Sequence, residues 1–378
     1  MAIILFWFTA FLLIYAWGGY LLVLQTLALC RKRPVNKKDY YPRVTIILTV
    51  FNEEKVIRKR LENLLSLDYP SDKLEILVAS DGSKDKTNEI VKQYADRGVI
   101  LSVHEGKGKS ITQNAAVKQA KGEIIVFTDA GTLFDPAFLK NIVRNFNDPK
   151  VGCVTSEICL LSEGENISEG QSIYWRYENA VRRYESEIGV LAKASGNSLA
   201  IRKRLFVPLD GKYGEDCIVP LDTVLQGYRV VFEPSAMVYD DFPSSIGGEF
   251  RTRIRMTLRN LTGILSRKQL LNPLKFPLVA FSLISHKILR WFSFFLMVTA
   301  FISNLFLLDK LFYQFTFCLQ VAFYSLALVG FACEKGRIKT LPLLSAPFSF
   351  CLGILGMAIG VLKAFAGKEI VKYKVPIT

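Results

Sequence analysis

Four polar side chains stand where short aliphatic runs of the sequence end. They are Asn52 and Glu53 after residues 44–50, Asp81 after 74–80, and Asp129 at the end of 123–129. Runs of this kind are typical of parallel strands that are covered on both faces. Ligands of such sheets bind beyond the carboxyl ends of the strands. These side chains are therefore candidate ligand-binding residues at one edge of a sheet.

Strand-like and helix-like patterns alternate around these residues, from Tyr41 to about Asp241. The predicted strands are 44–50, 74–80, 99–103 and 123–129, and the predicted helices are 53–66, 85–95 and 110–120. This alternation indicates an α/β domain with a mostly parallel sheet. No GxGxxG follows the first strand, which argues against a dinucleotide-binding oxidoreductase. The chain has no GxxxxGK[ST] motif either, although 106–110 (GKGKS) is similar to a fragment of one.

Composition separates the chain into an apolar part and a charged part. Hydrophobic residues make up 51% of the 378 residues, charged residues reach 22%, and the net charge is +14. A basic chain can bind nucleic acid, or it can bind anionic lipid head groups and a phosphate-bearing substrate. The membrane segments favour the second interpretation, so we expect a bilayer partner and no nucleic acid. Seven cysteines without a CxxC pair, and only two histidines, argue against a zinc site or a disulfide framework.

Residues 2–30 form an uncharged run that is long enough to span a bilayer. A signal peptide would have a basic start and a shorter apolar core. Five basic residues follow within 31–38, and the positive-inside rule places them in the cytoplasm. We therefore expect a multi-pass protein of the inner or plasma membrane whose soluble domain is cytoplasmic.

Three more uncharged runs lie near the end of the chain, at 291–308, 311–333 and 341–362. The first two are joined by Asp309 and Lys310, which predicts a hairpin. Prolines and glycines in the last run would permit a broken or re-entrant element, so its full crossing stays open. Basic and apolar residues alternate over 247–290, which is typical of amphipathic helices on the inner leaflet. The predicted regions are a membrane helix (1–30), a catalytic domain (31–246), interfacial helices (247–290) and a membrane region with its tail (291–378).

Several motifs of the soluble part resemble the inverting family 2 glycosyltransferases of GT-A fold. The resembling segments are 49–54 (TVFNEE), 79–87 (ASDGSKDKT), 107–114, 127–129 (FTD), 194–202 (ASGNSLAIR) and 214–216 (GED). The layout is similar to that of the cellulose, hyaluronan and poly-N-acetylglucosamine synthases. The resemblance implies transfer of a sugar from a nucleotide-sugar, with a UDP-sugar preferred, to a growing glycan or a lipid-linked acceptor in cell-surface polysaccharide synthesis.

The resemblance also implies a role for each matching residue. Asp216 would be the general base, and Asp129 would lie near the diphosphate and a divalent metal, Mg or Mn. The donor side would comprise Asn52, Glu53, Asp81, Lys107 and Asp129. The acceptor and diphosphate side would comprise Gly196, Glu215 and Arg255. Lys109 and the arginines of 251–259 are further candidates for stabilising the diphosphate.

Structural alternatives stay open for these residues. Asp81 could form only a turn, Asp129 could cap a helix near Asp135, and Asp216 could cap a helix over 218–226. Lys107 could simply be solvated.

The sequence departs from the family pattern at two places. Gly131 replaces the second carboxylate of the DxD motif, which makes metal binding less secure. The QxxRW motif of polymer-forming members is reduced to Arg255, since Met256 replaces the tryptophan. Transfer of a single sugar therefore becomes a stronger alternative to polymer synthesis, and a homo-oligomer or an export partner could complete a channel. A non-catalytic scaffold in an export complex is the second hypothesis.

Overall fold

The computed structural model describes residues 1–160, 169–240, 246–336 and 341–368. Eight strands form one sheet: β1 (Val44–Val50), β2 (Leu74–Ser80), β3 (Val99–Val103), β4 (Ile124–Asp129), β5 (Leu133–Phe134), β6 (Val151–Leu160), β7 (Leu199–Arg202) and β8 (Arg229–Asp240). The helices of the soluble part are α3 (Ile57–Leu65), α4 (Thr87–Lys92), α5 (Lys109–Gln119), α6 (Phe138–Val143), α7 (Glu169–Ile188) and α8 (Glu215–Leu225). The four strands predicted from the aliphatic runs are confirmed.

The sheet order is β3-β2-β1-β4-β7-β6-β8-β5. Strands β1 to β4 are parallel, whereas β7 is antiparallel to both β4 and β6. Strands β6 and β8 also pair in parallel, whereas β5 is antiparallel to β8. Four of the seven strand pairs are therefore parallel, and the prediction of a mostly parallel sheet holds, with all antiparallel pairs after β4. Strand–helix repetition, on which that prediction depends, ends after β4, and antiparallel neighbours need no crossover helix. The result is the mixed sheet of a GT-A-like fold.

Strand register brings the polar strand ends to one level. Val50 pairs with Ser80, and Thr49 pairs with Asp129. The residues that follow β1 and β2 therefore emerge beside the end of β4. Apolar clusters cover both faces of the sheet, with Ile46 and Leu48 in one and Ile47 in the other, and all three are fully buried. This double burial explains the nearly pure aliphatic sequence of β1.

Among the described residues, three helices are long and apolar enough to cross a membrane: Ala2–Cys30, Leu311–Lys335 (α13) and Pro342–Phe365 (α14). The first consists of α1 (Ala2–Ile14), a π-helical turn (Tyr15–Gly19) and α2 (Tyr20–Cys30). The hairpin prediction holds, because α12 (Ser293–Leu305) packs on α13 through Phe301 and Phe317, whose ring centroids are 5.1 Å apart. Residues 337–340, between the last two apolar runs, and the basic tail after residue 368 lie outside the described residues.

One membrane prediction needs correction. The run 291–308 forms no long helix of its own, because α12 is bent by 62° from the helical segment Pro277–Trp291. That segment comprises α10 (Pro277–Ser282), a π-helical stretch and α11 (Leu289–Trp291). The last run, whose full crossing the sequence leaves open, forms a continuous helix with Pro347 inside it. The bend therefore falls at Phe292, ahead of the run in which the sequence permits a break.

Glycines of α14 bring it against α9 (Ile246–Ser266), the helix that follows the soluble domain. A Cβ atom at Gly360 would lie 2.7 Å from Cβ of Thr257 and 2.9 Å from the backbone O of Ile254. A Cβ at Gly356 would lie 3.0 Å from Cβ of Arg253. Small residues spaced four apart permit this close approach between helices. The glycines that suggested a broken element thus serve as a packing surface.

A buried ionic cluster joins α7 to the bent segment. Glu178 accepts hydrogen bonds from Lys287 Nζ (2.7 Å) and Arg290 Nη1 (3.0 Å), and His286 Nε2 lies 3.1 Å from it. His286 Nδ1 lies 2.8 Å from Glu185, which also accepts a hydrogen bond from the Tyr20 hydroxyl of the first membrane helix at 2.7 Å. All five of the charged or imidazole side chains are buried.

This cluster corrects part of the prediction for 247–290. Lys287 and Arg290 belong to the basic pattern of the predicted interfacial helices, yet burial against α7 removes them from any lipid surface. Charge spacing along one segment cannot reveal a carboxylate partner more than 100 residues away. The opposing Lys287 and His286 charges hold the pKa of Glu178 well below its usual range, although burial alone would raise it.

We predict that Glu178→Gln destabilises the whole protein. The amide keeps the shape of the side chain but leaves buried cations without their carboxylate, a loss of about 3–5 kcal/mol. The midpoint of thermal unfolding in detergent should fall by on the order of 10 °C. Glu187→Gln, on the same helix, is the matched control, because Glu187 pairs with the exposed Lys32 and Arg183 and such pairs contribute at most about 1 kcal/mol. Equal midpoints for the two variants would contradict the prediction.

Candidate active site

A cavity of about 660 Å³ opens beyond the carboxyl ends of β1, β2 and β4. Most of the site residues predicted from the sequence line it: Glu53, Asp81, Lys107, Asp129, Gly196, Glu215, Asp216 and Arg255. They come from seven separate parts of the chain, which the sheet and the helices α5, α8 and α9 bring together. The cavity is thus the common location of both the donor-side and the acceptor-side predictions.

Asn52 is the predicted residue that does not line this cavity. Its backbone adopts a φ of +57°, a left-handed conformation that is uncommon outside glycine. Its side-chain oxygen accepts a hydrogen bond from the Lys84 amide (2.8 Å), and its own amide donates to Ser83 Oγ (3.1 Å). Asn52 therefore ties the loop after β1 to the loop after β2, behind the cavity wall.

The Asp81 carboxylate is hydrogen-bonded to the loop that precedes α5 and to α5 itself. Its Oδ1 accepts hydrogen bonds from the Gly108 amide (3.1 Å) and from Thr112 Oγ1 (2.8 Å). Gly82 and Gly106 both have positive φ, and a Cβ at Gly82 would lie 3.1 Å from the Gly106 amide nitrogen. The two glycine turns therefore touch, and Asp81 joins them at the cavity edge. This arrangement goes beyond a turn-forming role for the carboxylate.

Lys109 is the central cation of the cavity. Its Nζ lies 2.7 Å from Asp129 Oδ1 and 2.5 Å from Glu215 Oε1. Burial lowers the pKa of Lys109, but the two carboxylates outweigh it and raise that pKa well above its ordinary value. Burial likewise raises the pKa of Glu215, but the Lys109 ammonium holds it below its ordinary value. The bridge therefore favours the charged forms of Lys109 and Glu215.

Asp216 stands in the first turn of α8, which begins at Glu215 with Gly214 as its N-cap. The helix starts earlier than the predicted 218–226, so Asp216 lies inside it and does not cap it. A Cβ at Gly214 would clash with Asp216 Oδ1, and a Cβ at Gly196 would lie 3.5 Å from Asp216 Cβ and 3.3 Å from Glu215 Oε1. The two glycines therefore leave room for the Asp216 carboxylate and for a ligand beside it.

Asp129 does not cap the helix near Asp135, because α6 has Ala137 as its N-cap and no side-chain cap hydrogen bond. The Ala137 amide, at the start of α6, donates a hydrogen bond to Asp135 Oδ1 at 2.9 Å. Asp129 instead faces the cavity with 44% of its side chain exposed. Burial raises the pKa of the nearby Glu53, and the negative charges of Asp129 and Asp85 raise it further. The donor side of the cavity is therefore rich in carboxylates, with Lys109 as their counter-ion.

The structure distinguishes the two lysines of the 107–109 loop. Lys107, predicted on the donor side, pairs with Glu105 at 2.8 Å, and both side chains are more than two-thirds exposed. Lys109 is the first residue of α5, and its side chain lines the cavity. The sequence analysis also missed Arg182, Lys193, Asn197 and Asp240, which line the cavity. Of these four residues, only Asn197 lies in a motif that resembles the family. No sequence motif identifies the other three as site residues.

The residues fit a divalent metal that takes most of its ligands from phosphate and water. Within the described part of the chain, no group of three or more His, Cys, Asp or Glu side chains could hold a metal. Asp129 alone presents a partly exposed carboxylate at the expected position, and Gly131 offers none. Mg²⁺ typically binds through one or two carboxylates together with substrate phosphates and waters.

The sequence model of one protein family, described as glycosyl transferase family 2, matches residues 45–206. The chain carries a family 2 glycosyltransferase domain. The matched range holds β1, except its first residue, and β2 to β7, together with Asp81, Lys109, Asp129 and Gly196. The family predicted from the sequence is therefore confirmed.

Two curated relatives of this glycosyltransferase domain have related names. The poly-beta-1,6-N-acetyl-D-glucosamine synthase of Staphylococcus aureus is 28% identical over 232 residues, which cover 59% of this chain and 56% of the relative. The probable glycosyltransferase YdaM of Bacillus subtilis is 26% identical over 236 residues, covering 58% and 55% of the two chains. The alignments thus span little more than half the length of either relative.

One solved structure shares the fold over almost the whole chain. It is a mannosyltransferase from Pyrobaculum calidifontis in complex with GDP-Man and Mn²⁺, with a TM-score of 0.71 and 23% sequence identity. The superposition covers 97% of this chain and 100% of the other. The glycosyltransferase domain and the helices around it therefore follow a known GT-A arrangement, as the sequence predicted.

Proposed function

We propose that this chain is a membrane-bound hexosyltransferase that moves a sugar from a nucleotide-sugar to a growing glycan or a lipid-linked acceptor, with inversion at the anomeric carbon. The observation that carries the proposal is the meeting of Asp81, Asp129, Lys109, Glu215 and Asp216 in one cavity of a family 2 domain. These groups supply what the reaction needs: recognition of a nucleoside, neutralisation of a diphosphate and a base for a hydroxyl.

The donor would lie along the ends of β1, β2 and β4. Asp81, held by the glycine turns, contacts the uracil or ribose of a UDP-sugar in this proposal. Lys109 faces the diphosphate and neutralises the charge that develops as it departs. A preorganised cation in a partly enclosed site stabilises such charge more strongly than water does. The Asp129 and Glu215 carboxylates hold this cation in place before the donor binds.

Asp129 would hold a divalent metal, Mg²⁺ or Mn²⁺, together with the diphosphate. When bound, the metal supplies additional positive charge to the leaving group. The Mn²⁺ in the mannosyltransferase structure supports this part of the proposal. The Asp129 carboxylate, which pairs with Lys109, would then be the one protein carboxylate to hold the metal in place of the usual pair.

Asp216 would take the proton from the acceptor hydroxyl. An inverting transfer needs a base on the face of the sugar opposite the leaving group. Asp216 lines the cavity from α8, with the space at Gly196 beside it. The buried Glu215 next to it is already paired with Lys109, so Asp216 is the carboxylate that remains for this role.

We further propose that residues 31–246 form the cytoplasmic catalytic domain, because the basic flank 31–38 favours that side. The helices on either side would anchor it, in a polysaccharide pathway like that named for the Staphylococcus relative. Arg255 lines the cavity from α9, so the membrane-proximal helix contributes to the diphosphate side.

A screen of nucleotide-sugars tests the proposal. Purified protein in detergent is incubated with UDP-, GDP- and dTDP-sugars, and nucleotide release is followed by mass analysis of the product. We expect release from one donor class with Mg²⁺ or Mn²⁺, and loss of most of the rate after chelation. The product should carry the sugar in the β configuration if the donor sugar is α-linked. Failure of every donor would contradict the proposed activity.

A further inference from the structure

A lysine that the proposed mechanism does not use lies at the membrane side of the cavity. Lys193 lines the cavity and is half-buried. The preceding residue, Ala192, packs in an apolar cluster with Leu261 of α9 and Met357 and Val361 of α14. The amide of the following residue, Ala194, donates a hydrogen bond to the backbone oxygen of Asp216 at 3.1 Å. Lys193 thus stands between the membrane helices and the proposed base.

The cavity cations whose contacts are resolved in detail have partners. Lys109 bridges two carboxylates, Lys107 pairs with Glu105, and Arg259 donates to the Tyr213 carbonyl at 2.5 Å. Arg182 donates to Ser195 Oγ at 2.8 Å and lies 3.5 Å from Glu178. Lys193, in contrast, makes no hydrogen bond or ion pair with any residue in the described ranges.

A half-buried cation without a partner loses hydration and gains nothing in return from the protein. An ion pair with an anionic group of the ligand would compensate the cation for its lost hydration. The donor diphosphate already has Lys109 on its side of the cavity, next to Asp129. Lys193 belongs instead to the segment that leads to Gly196, beside Glu215 and Asp216. The anion it fits is therefore part of the acceptor.

The surroundings of Lys193 point to a lipid. Residues of α9 form one wall of the cavity, and α9 packs directly on α14, which is long and apolar enough to cross a membrane. An acceptor that enters beside these helices can keep its apolar chain in the bilayer while its polar head reaches the cavity. The chemical class that combines an apolar chain with an anion at its head is a lipid phosphate.

We propose that Lys193 binds the phosphoryl group of a lipid-linked acceptor and so places the acceptor's sugar hydroxyl near Asp216. This inference rests on the proposed glycosyltransferase function and assigns the acceptor class. It also accords with the loss of the QxxRW tryptophan, since an acceptor held by its phosphate does not depend on a stacking platform for a glycan chain.

Direct binding tests the assignment with defined probes. Titration calorimetry in detergent compares geranylgeranyl phosphate, geranylgeraniol and inorganic phosphate on the full-length protein. Lys193→Gln should weaken geranylgeranyl phosphate binding roughly 10- to 100-fold, the effect of losing one charge-assisted hydrogen bond. Lys193→Arg should restore most of the affinity. Lys118→Gln, an exposed lysine on α5, is the charge-matched control and should bind like the wild type.

The outcomes separate the possible ligands. Equal affinity of the wild type for the phosphate and the alcohol, or no effect of Lys193→Gln, would overturn the inference. Inorganic phosphate binding as tightly as the lipid phosphate would also overturn it, because the lipid would then contribute nothing. Thermal midpoints of all variants exclude misfolding as the cause. Donor turnover is measured separately without lipid, so failure of the proposed function is distinguishable from failure of this acceptor assignment.

Discussion

Replacing Asp216 by Asn should lower sugar transfer by about two to four orders of magnitude, the usual contribution of a general base. Asparagine has the same shape as aspartate, so the first turn of α8 and the contacts at Gly196 and Gly214 stay intact. It cannot accept the proton of the acceptor hydroxyl. Initial rates with saturating donor and acceptor, measured by product mass and by nucleotide release, give the effect on kcat.

Two further measurements make this result specific. Donor affinity of Asp216→Asn should stay within a few-fold of the wild type, because Asp216 lies on the acceptor side. Asp210→Asn is the control, since Asp210 is an exposed carboxylate on the loop that leads to α8 and does not line the cavity. Full transfer activity in Asp216→Asn would show that another group takes the proton.

Lys109→Gln should lower nucleotide release by about 100- to 1,000-fold, comparable with the loss of one preorganised group that stabilises developing charge. The substitution removes the cation that faces the diphosphate and also leaves Asp129 and the buried Glu215 without their shared partner. Single-turnover rates and donor affinity should both fall. Lys118→Gln, on the same helix, should match the wild type in both, and an unchanged rate in Lys109→Gln would remove Lys109 from the mechanism.

The same variant should reverse the pH dependence of stability at Glu215. In the wild type the pKa of folded Glu215 is held low, so the bridge stabilises the protein above about pH 4.3 and loses this effect as the pH falls through the folded-state pKa. Without Lys109 the largest cause is burial, which raises the pKa of Glu215 against the smaller lowering effects of a backbone hydrogen bond and of the Arg259 charge. We therefore expect that pKa to lie above the unfolded value. Stability of Lys109→Gln should therefore decrease as the pH rises through that value. Unfolding midpoints between pH 4 and 8 measure the difference.

The sequence was sufficient for four of the eight strands, β1 to β4, and for the edge of the sheet at which the cavity opens. Buried parallel strands need aliphatic residues on both faces, and this requirement is visible in 44–50 without any partner. Helix starts were less accurate: the first helix begins at Ile57 and not at Glu53, because Asn52 adopts a left-handed conformation and the loop after it is tied to Thr87. The sequence pattern gives no sign of that loop contact.

The pairing of charges could not be predicted, because it depends on residues that are distant in the chain. Lys109 meets Glu215 only once α5 and α8 lie on the same side of the sheet. Lys287 and Arg290 fit a basic amphipathic pattern equally well whether they face lipid or the carboxylate of Glu178. Lys193 carried no motif, and its isolation is apparent only when the neighbouring cations have been assigned their partners.

The close packing of α9 on α14 has a consequence for kinetics. Because Gly356 and Gly360 place the cavity wall directly on a helix of membrane-spanning length, a lipid acceptor reaches the site by lateral diffusion. The quantity that saturates the enzyme is then the mole fraction of acceptor in the bilayer or micelle, and not its amount per litre. Adding inert lipid at a constant amount of acceptor should slow the enzyme by surface dilution, while the water-soluble donor keeps its ordinary KM.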